Sequence, residues 1–414
     1  VNEMRVIRGK SGTNQEGTSA HNRRVMIDAL RLNGKLSRAD LARASGLTKQ
    51  AVSNIIDDLE QDGLVVSLAA VRNGRGQPST PYRLVPEGAF AIGLQIDRHI
   101  TRVIAVNLIG TVLVRAEANL PPGGPANGAR VILDLIQRVR TELAGIAEHS
   151  EQRLVGLCVA MPGPFGLATA NDDQWMVDDQ WMMAAWQNFP LLETLAAGTG
   201  LEVALQNDAA ACATAERMVG AAHGVDHAVC LYVGYGIGAG LILNGELYAG
   251  GSGNAGEIGM ALLPPTAQRP KQSSFEHRAS LASLYQHLNA DPADPGLHDR
   301  LNTLVSNDDP AVASWIGTAA DELRWGVQLI ETIFDPQTVI LCSSAPEALT
   351  RRIYDAIHPL LPSIANRPGR ALPRLQLGMT DPWSVALGAA AEPISRAFDP
   401  RFSAILKTRA NAAG

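Results

Sequence analysis

The stretch Gln206-Asn207-Asp208, a short helix-prone segment, the apolar run Ala228 to Tyr232, Gly234-Tyr235-Gly236-Ile237-Gly238-Ala239-Gly240 and Gly253-Asn254-Ala255-Gly256-Glu257-Ile258-Gly259-Met260 decides how this chain is read. Glycines 234, 236, 238 and 240 alternate inside a strand-like run, so that a ligand or another stretch of backbone can approach with no side chain between. Tight sheet packing accounts for the same alternation, and a glycine pattern carries little weight without its flanks.

The flanks are informative. Asn-Asp before a helix, then the glycine strand, then Gly-Glu-Ile-Gly, resembles the sugar-binding core of the ROK family (repressors, uncharacterised frames and sugar kinases). The resemblance implies an α/β fold of two actin-like (ribonuclease H-like) lobes closing on a sugar, and it runs over roughly residues 22 to 395. It places Asn207, Asp208, Glu257 and Glu276 at positions that bind hexose hydroxyls in the family, with Asp208 at the position of the kinases' general base. Carboxylates and amides suit that task because each engages more than one hydroxyl.

At 414 residues the chain is too long for one ordinary core. Cys158, Cys212, Cys230 and Cys342 lie far apart in apolar surroundings, without the paired spacing of a metal site or a redox dithiol, and read as buried thiols in a reducing cytoplasm. The longest uncharged stretch, Ala228 to Leu243, is too short and too glycine-rich to span a bilayer, and the first twenty residues lack the apolar core of a signal peptide. A cytoplasmic protein without a membrane partner is expected. Residues 1–84 carry 13 Lys+Arg against 8 Asp+Glu, a charge of +5, whereas the remainder carries 22 against 33, a charge of −11. The basic end fits a local footprint on a polyanion.

That end has its own pattern. A helix from about Asn22 to Leu32 stops at Asn33-Gly34. Ser37 caps a second helix with Asp40 in capping-box position, Gly46 turns the chain, and Thr48 caps a third helix to about Gln61. Val52, Ile55, Ile56 and Leu59 form the third helix's apolar stripe, leaving Lys49, Gln50, Ser53 and Asn54 on its open face. Strands at Leu64 to Leu68 and Tyr82 to Val85 flank the basic tip Arg72-Asn73-Gly74-Arg75-Gly76-Gln77-Pro78. The whole reads as a winged helix-turn-helix, with Ser37, Thr48, Lys49, Gln50, Ser53, Asn54, Arg72 and Arg75 as the DNA-contacting set. Family kinases generally lack this domain, so a regulator is favoured over an enzyme. The expected organisation is a disordered tail over 1–20, the winged domain over 21–86, a first lobe over 87–205, a second over 206–398 whose last helix returns to the first, and a tail over 399–414.

The kinase parts depart from the family pattern. A phosphate loop of the form Asp-x-Gly-Gly-Thr falls on Gln95, Asp97, Arg98 and His99 when counted from Asn107 and Gly110, and a register that makes Asp97 the aspartate leaves Ile100 where glycine is needed. Tyr235 stands for the threonine of Gly-Thr-Gly-Ile-Gly, and Ser343-Ser344 for two glycines near adenosine. The zinc-ligand positions of the family fall on Met260, Ala267, Arg269 and Ser274, which supply no thiolate or imidazole. Asp172-Asp173-Gln174-Trp175-Met176 recurs as Asp178-Asp179-Gln180-Trp181-Met182, followed by Trp186. These tryptophans read as a hairpin packing at a lobe or subunit interface, the alternative being platforms for sugar rings. The resemblance thus implies a sugar-responsive transcriptional regulator that uses no cofactor and no metal. Its partners are an operator with two half-sites, a small sugar or sugar derivative and a second copy of the chain, as a dimer or dimer of dimers. Elemental analysis should accordingly find no stoichiometric zinc, and chelator should leave the unfolding midpoint unchanged; about one tightly held zinc per chain would refute this.

Overall fold

The computed structural model describes residues 15–71, 79–121, 124–166, 180–265 and 272–398. The wing arginines Arg72 and Arg75, the first copy of the Asp-Asp-Gln-Trp-Met repeat, the zinc-ligand positions Ala267 and Arg269, and the segments 1–14 and 399–414 lie outside them. The chain divides after Gly88 into two compact units.

The first unit holds helices Gln15–Asn33, Arg38–Ser45 and Lys49–Gln61 and a three-stranded sheet with Pro81–Leu84 between Leu36–Ser37 and Val65–Ser67. Residues 15–20, expected in a disordered tail, instead open the first helix. The Ser37 hydroxyl and the Asp40 carboxylate form a complete capping box, and Gly46 closes the second helix at φ 70°, a left-handed conformation that glycine adopts without strain. Val52, Ile55, Ile56 and Leu59 are all buried, packing with Met26, Leu30 and Leu41. The first strand is a residue shorter at each end than expected and the second is offset by one residue, and an isolated bridge joins Val71 and Ser79.

The second unit repeats one topology twice. Its first sheet runs Val112–Asn119, Ile100–Asn107, Phe90–Ile96, Leu154–Met161, Val203–Asn207; its second runs Glu246–Leu247, Ile237–Leu243, Ala228–Val233, Thr338–Ser343, Leu375–Leu377. In each, the first strand in sequence pairs antiparallel with the second and parallel with the fourth, as the two-lobed actin-like reading requires. Phe90–Ile96 is buried along its whole length because helices cover both of its faces. Helix Pro125–Ile146 contributes Ile132, Ile136 and Val139 to the core on one side. On the other, helix Ser384–Phe398 lies so close that a Cβ on Gly93 would sit 2.0 Å from the Ala386 carbonyl. Gly388-Ala389-Ala390 belongs to this helix. Trp186 lies in the core of the first lobe, on helix Gln180–Asn188 rather than on the expected hairpin, with Phe189 edge-on at 6.3 Å. The four cysteines are buried and free, and no helix among the described residues is long and apolar enough to cross a membrane.

Helix Asp208–Val219, rich in alanine, is wedged between the glycine strand and the C-terminal helix. A Cβ on Gly240 would meet Ala209 O and Ala213 Cβ at 2.4 Å, and one on Gly388 would meet Ala211 O at 1.6 Å. Gly240→Ala and Gly388→Ala should each cost about 1–3 kcal/mol through overpacking. Gly317→Ala, a helical position open to solvent, should gain about 0.5–1 kcal/mol. Urea midpoints of the three variants test this, and an unchanged midpoint for Gly388→Ala would contradict the packing.

Candidate functional site

Asn207 ends the last strand of the first lobe and caps the first helix of the second. Its Oδ1 accepts from the Ala210 N–H at 2.6 Å while its Nδ2 donates to Glu257 Oε1 at 3.4 Å. Asp208 follows as the helix's first residue, its Oδ1 accepting from the Ala209 N–H at 2.9 Å. Burial, and then the charge of Asp97, push the Asp208 carboxyl up to about 6, against the opposing pull of Arg98. Glu276, in the short helix Phe275–Ala279, accepts from the Ile237 N–H at 3.4 Å; burial raises its pKa against that hydrogen bond and Arg98. Glycines make room for these carboxylates. A Cβ on Gly163 would lie 2.2 Å from Glu257 Oε1, and one on Gly236 would lie 2.8 Å from Glu276 Oε2. The alternating glycines therefore divide their work: Gly236 faces the site, whereas Gly238 and Gly240 admit Ala209 and Ala213 of the adjoining helix.

Asn207, Asp208, Glu257 and Glu276 thus line one cavity of about 70 Å³, walled by the Pro162–Pro164 turn on one side and Gly236–Gly238 on the other. Asn254 holds the turn in place, accepting from Phe165 N at 2.9 Å and donating to Phe165 O at 3.0 Å. Arg98, Tyr232, Met260, His277, Ser280, Ser283 and Gln286 also line the cavity and were not singled out from the sequence as site residues. A signal for part of this set exists, since Ser280 caps the helix Leu281–His287 and Ser283 and Gln286 follow at helical spacing.

Beyond Arg98 and Tyr235, which border both spaces, lies a second cavity of about 180 Å³ lined in part by Asp97, His99, Tyr285, His298 and Ser344. Side chains crowd its rim. The Arg98 guanidinium stacks 4.0 Å above the Tyr235 ring, which in turn lies 6.1 Å from that of Tyr285. The Arg98 backbone N–H donates to Asp97 Oδ1 at 2.8 Å. Gln95 is buried and accepts from Arg102 at 3.4 Å, and the Ser343 hydroxyl donates to Val233 O at 2.7 Å while accepting from Ala345 N.

Of the zinc-ligand positions, Met260 lines the first cavity and the Ser274 hydroxyl caps a helix, accepting from His277 N. Among the described residues no group of three or more His, Cys, Asp or Glu is placed to hold a metal. A buried arginine ties this region together. Arg278, 1 % exposed, donates to Ser273 Oγ, Glu322 Oε1, Leu263 O and Pro264 O at 2.7–3.1 Å. Leu263 and Phe275 are buried in the same core, whereas Leu262 is 44 % exposed because it alternates outward on its two-residue strand.

On the first unit, Lys49, Gln50 and Asn54 are exposed, with Gln50 Nε2 donating to Asn54 Oδ1 at 2.9 Å. Thr48 is exposed with its oxygen engaged by Ala51 N, and Ser53 is half-buried, accepting from Arg38 at 3.1 Å. Ser37 is buried inside the capping box.

An actin-like pair of lobes around a polar cavity, in a chain that begins with a winged helix-turn-helix, defines the class, and comparison with known proteins gives the family. Residues 91–391 match the ROK family and residues 26–76 the MarR family. The chain belongs to the ROK family. It is 24 % identical to the xylose repressor of Bacillus subtilis (strain 168) over 374 residues, 85 % of this chain and 93 % of that one. The crystal structure of a ROK family transcriptional regulator, a homolog of the E. coli MLC protein, superposes with a TM-score of 0.66 at 20 % identity over 92 % of this chain and 97 % of that one. A ROK hexokinase from Thermus thermophilus superposes at 0.51, with 25 % identity over 73 % and 97 %.

The electrostatics of Asp208 give a direct expectation. A carboxyl near 6 holds its proton more tightly folded than unfolded, so its contribution to stability is fully present below about 4 and is lost as pH rises through about 6. Asp208→Asn should remove that part of the stability profile. An NMR titration of the wild type should place the Asp208 carboxyl near 6, and lower in Asp97→Asn; a carboxyl near 4 in both would contradict the assignment.

Proposed function

We propose that this chain is a sugar-responsive, DNA-binding transcriptional regulator, a repressor of carbohydrate-metabolism genes, and not a sugar kinase. The observation that carries the reading is the gathering of Asn207, Asp208, Glu257 and Glu276 around one cavity in a chain whose phosphate-loop positions hold side chains already engaged with the protein. Phosphoryl transfer draws nearly all its rate from positioning and electrostatic stabilisation of the phosphoryl group. A stacked arginine and tyrosine where glycine backbone should cradle phosphate supply neither. Asp208 is then a ligand to sugar hydroxyls at a vestigial base position. Likeness to a xylose repressor over most of both chains supports the same reading.

In this reading a homodimer presents paired winged helices to two operator half-sites, with Lys49, Gln50 and Asn54 reading bases, and with Thr48, Ser53 and the wing arginines Arg72 and Arg75 holding backbone. Ser37, buried in its capping box, supports the second helix and makes no DNA contact. A small sugar draws the lobes together and shifts a pre-existing equilibrium between DNA-binding states. A kinase carrying an added DNA module is the second reading, favoured by the second cavity and by a carboxyl near 6, poised to act as a base.

Asp208→Asn separates the two. As a ligand substitution it should weaken sugar binding by about 1–3 kcal/mol, the value of a charged hydrogen bond, and leave DNA affinity without sugar unchanged. Wild type should show no sugar-dependent ATP turnover. Turnover that disappears in Asp208→Asn at unchanged sugar affinity would establish the kinase. Lys49→Ala should weaken binding to a DNA fragment selected from a random pool; equal affinities would remove this helix from the interface.

A further inference from the structure

Helix Ser384–Phe398 is seated on the sheet of the first lobe, with Gly93 against Ala386 and Ala390 and with Gly156 against Pro393. Glu392, on this helix, is 1 % exposed, and neither of its carboxylate oxygens has a hydrogen-bond partner among the described residues. Arg396, one turn on, brings its Nε to 3.7 Å from Glu392 Oε1, but its Nη1 is paired with Glu202. Glu202 stands just before the strand Val203–Asn207. Cys158 lies on the strand Leu154–Met161, its thiol kept neutral by burial. Strand Phe90–Ile96 carries no titratable side chain. Helix Asp208–Val219 meets the C-terminal helix at Gly388, through the Ala211 carbonyl. Its Cys212 thiol is held protonated by Cys342 and by burial, and its Glu216 accepts from the N–H groups of Ala221 and Met379. Arg396 and Glu202 are therefore the charges that act on Glu392.

We propose that Glu392 is a proton-operated latch on the C-terminal helix: neutral, it lets the helix seat on the first sheet, and ionised, it loosens that seat. A carboxylate without a hydrogen-bond donor is costly to bury, and a neutral or apolar side chain would fill the same space at lower cost. Arg396 offsets little of that cost, because Glu202 holds its guanidinium. Burial accordingly pushes the Glu392 carboxyl up to about 7, Arg396 pulling it down and Glu202 adding to the rise. With its folded value above its unfolded one, the acid favours the seated helix fully below about pH 4. That preference is lost as pH rises through about 7. The sugar cavity lies downstream of the latch, since Gly388 of this helix abuts Ala211 of the helix that begins with Asp208. The latch is a property of the chain without any ligand and stands apart from the sugar reading.

The test uses the full chain, an NMR titration of its glutamate carboxyls and amide hydrogen exchange. The Glu392 carboxyl, assigned by its loss in Glu392→Gln, should titrate near 7 in wild type and lower in Glu202→Gln. Protection factors along Ser384–Phe398, corrected for the intrinsic pH dependence of exchange, should fall about ten-fold in wild type between about pH 6 and about pH 8. In Glu392→Gln, neutral at both values, they should stay constant to within about two-fold. Asp208→Asn, which removes the other raised carboxyl, should leave the fall in place. A Glu392 carboxyl near 4 overturns the inference. So do wild-type protection factors that hold steady, or that fall as far in Glu392→Gln. If Glu392→Gln fails to fold, Glu202→Gln decides: the fall in protection must move to lower pH together with the Glu392 carboxyl, and a fall that stays where it was overturns the latch.

Discussion

The contacts of one asparagine condition the rest of the site. Asn207 closes the strand Val203–Asn207, caps the helix that begins at Asp208, and reaches Glu257 across the cleft. A cap oxygen satisfies one helix N–H that would otherwise be unpaired, and here it also fixes where the next residue points. Asp208 enters the cavity because the helix starts where it does. The helix in turn stays in place because its alanines meet glycine on two sides, at Gly240 and Gly388. Backbone placement, cap and carboxylate are therefore one arrangement, and a change at any of the three disturbs the others.

The cleft holds two neighbouring spaces of different character. The first keeps acidic and amide side chains aimed inward, with Gly163 and Gly236 clearing space for Glu257 and Glu276. At the border of the second, the Arg98 guanidinium stacks on the Tyr235 ring. Arg98 also acts on the first cavity. It lowers the pKa of both Asp208 and Glu276 against the effect of burial, so the side chain at the border of the two cavities also helps keep the neighbouring carboxylates ionised. In the proposed function, that ionisation gives a neutral sugar charge-assisted acceptors.

Much of this was legible in the sequence where the signal is local. Ser37 with Asp40, Gly46, and the stripe Val52, Ile55, Ile56 and Leu59 are patterns within a turn or two of helix, and each appears where its spacing puts it. The gathering of Asn207, Asp208, Glu257 and Glu276 was reached through resemblance to a family, because nothing in their spacing brings Glu276 to Gly236. Long-range arrangements stayed hidden. The stacking of Arg98 on Tyr235 joins hairpins from different lobes, and Arg278 ties together Leu263, Ser273 and Glu322 from three segments. Alternating glycines could not reveal which faced a helix and which a carboxylate, since that depends on which side the Asp208–Val219 helix covers. Residues 15–20 are a local miss: Gln15, Glu16 and Ala20 are favourable helix formers, and they extend the first helix upstream of Asn22.

In the proposed function, sugar and DNA address one conformational equilibrium in this chain. Thermodynamic reciprocity makes that measurable, because an effector that changes DNA affinity by some factor must have its own affinity changed by DNA by the same factor. The most direct measurement is the calorimetric Kd of a bound sugar for the full chain, taken alone and saturated with a selected DNA duplex. The two values should differ by the factor by which that sugar shifts DNA affinity in an anisotropy titration. The same sugar Kd with and without DNA would contradict it.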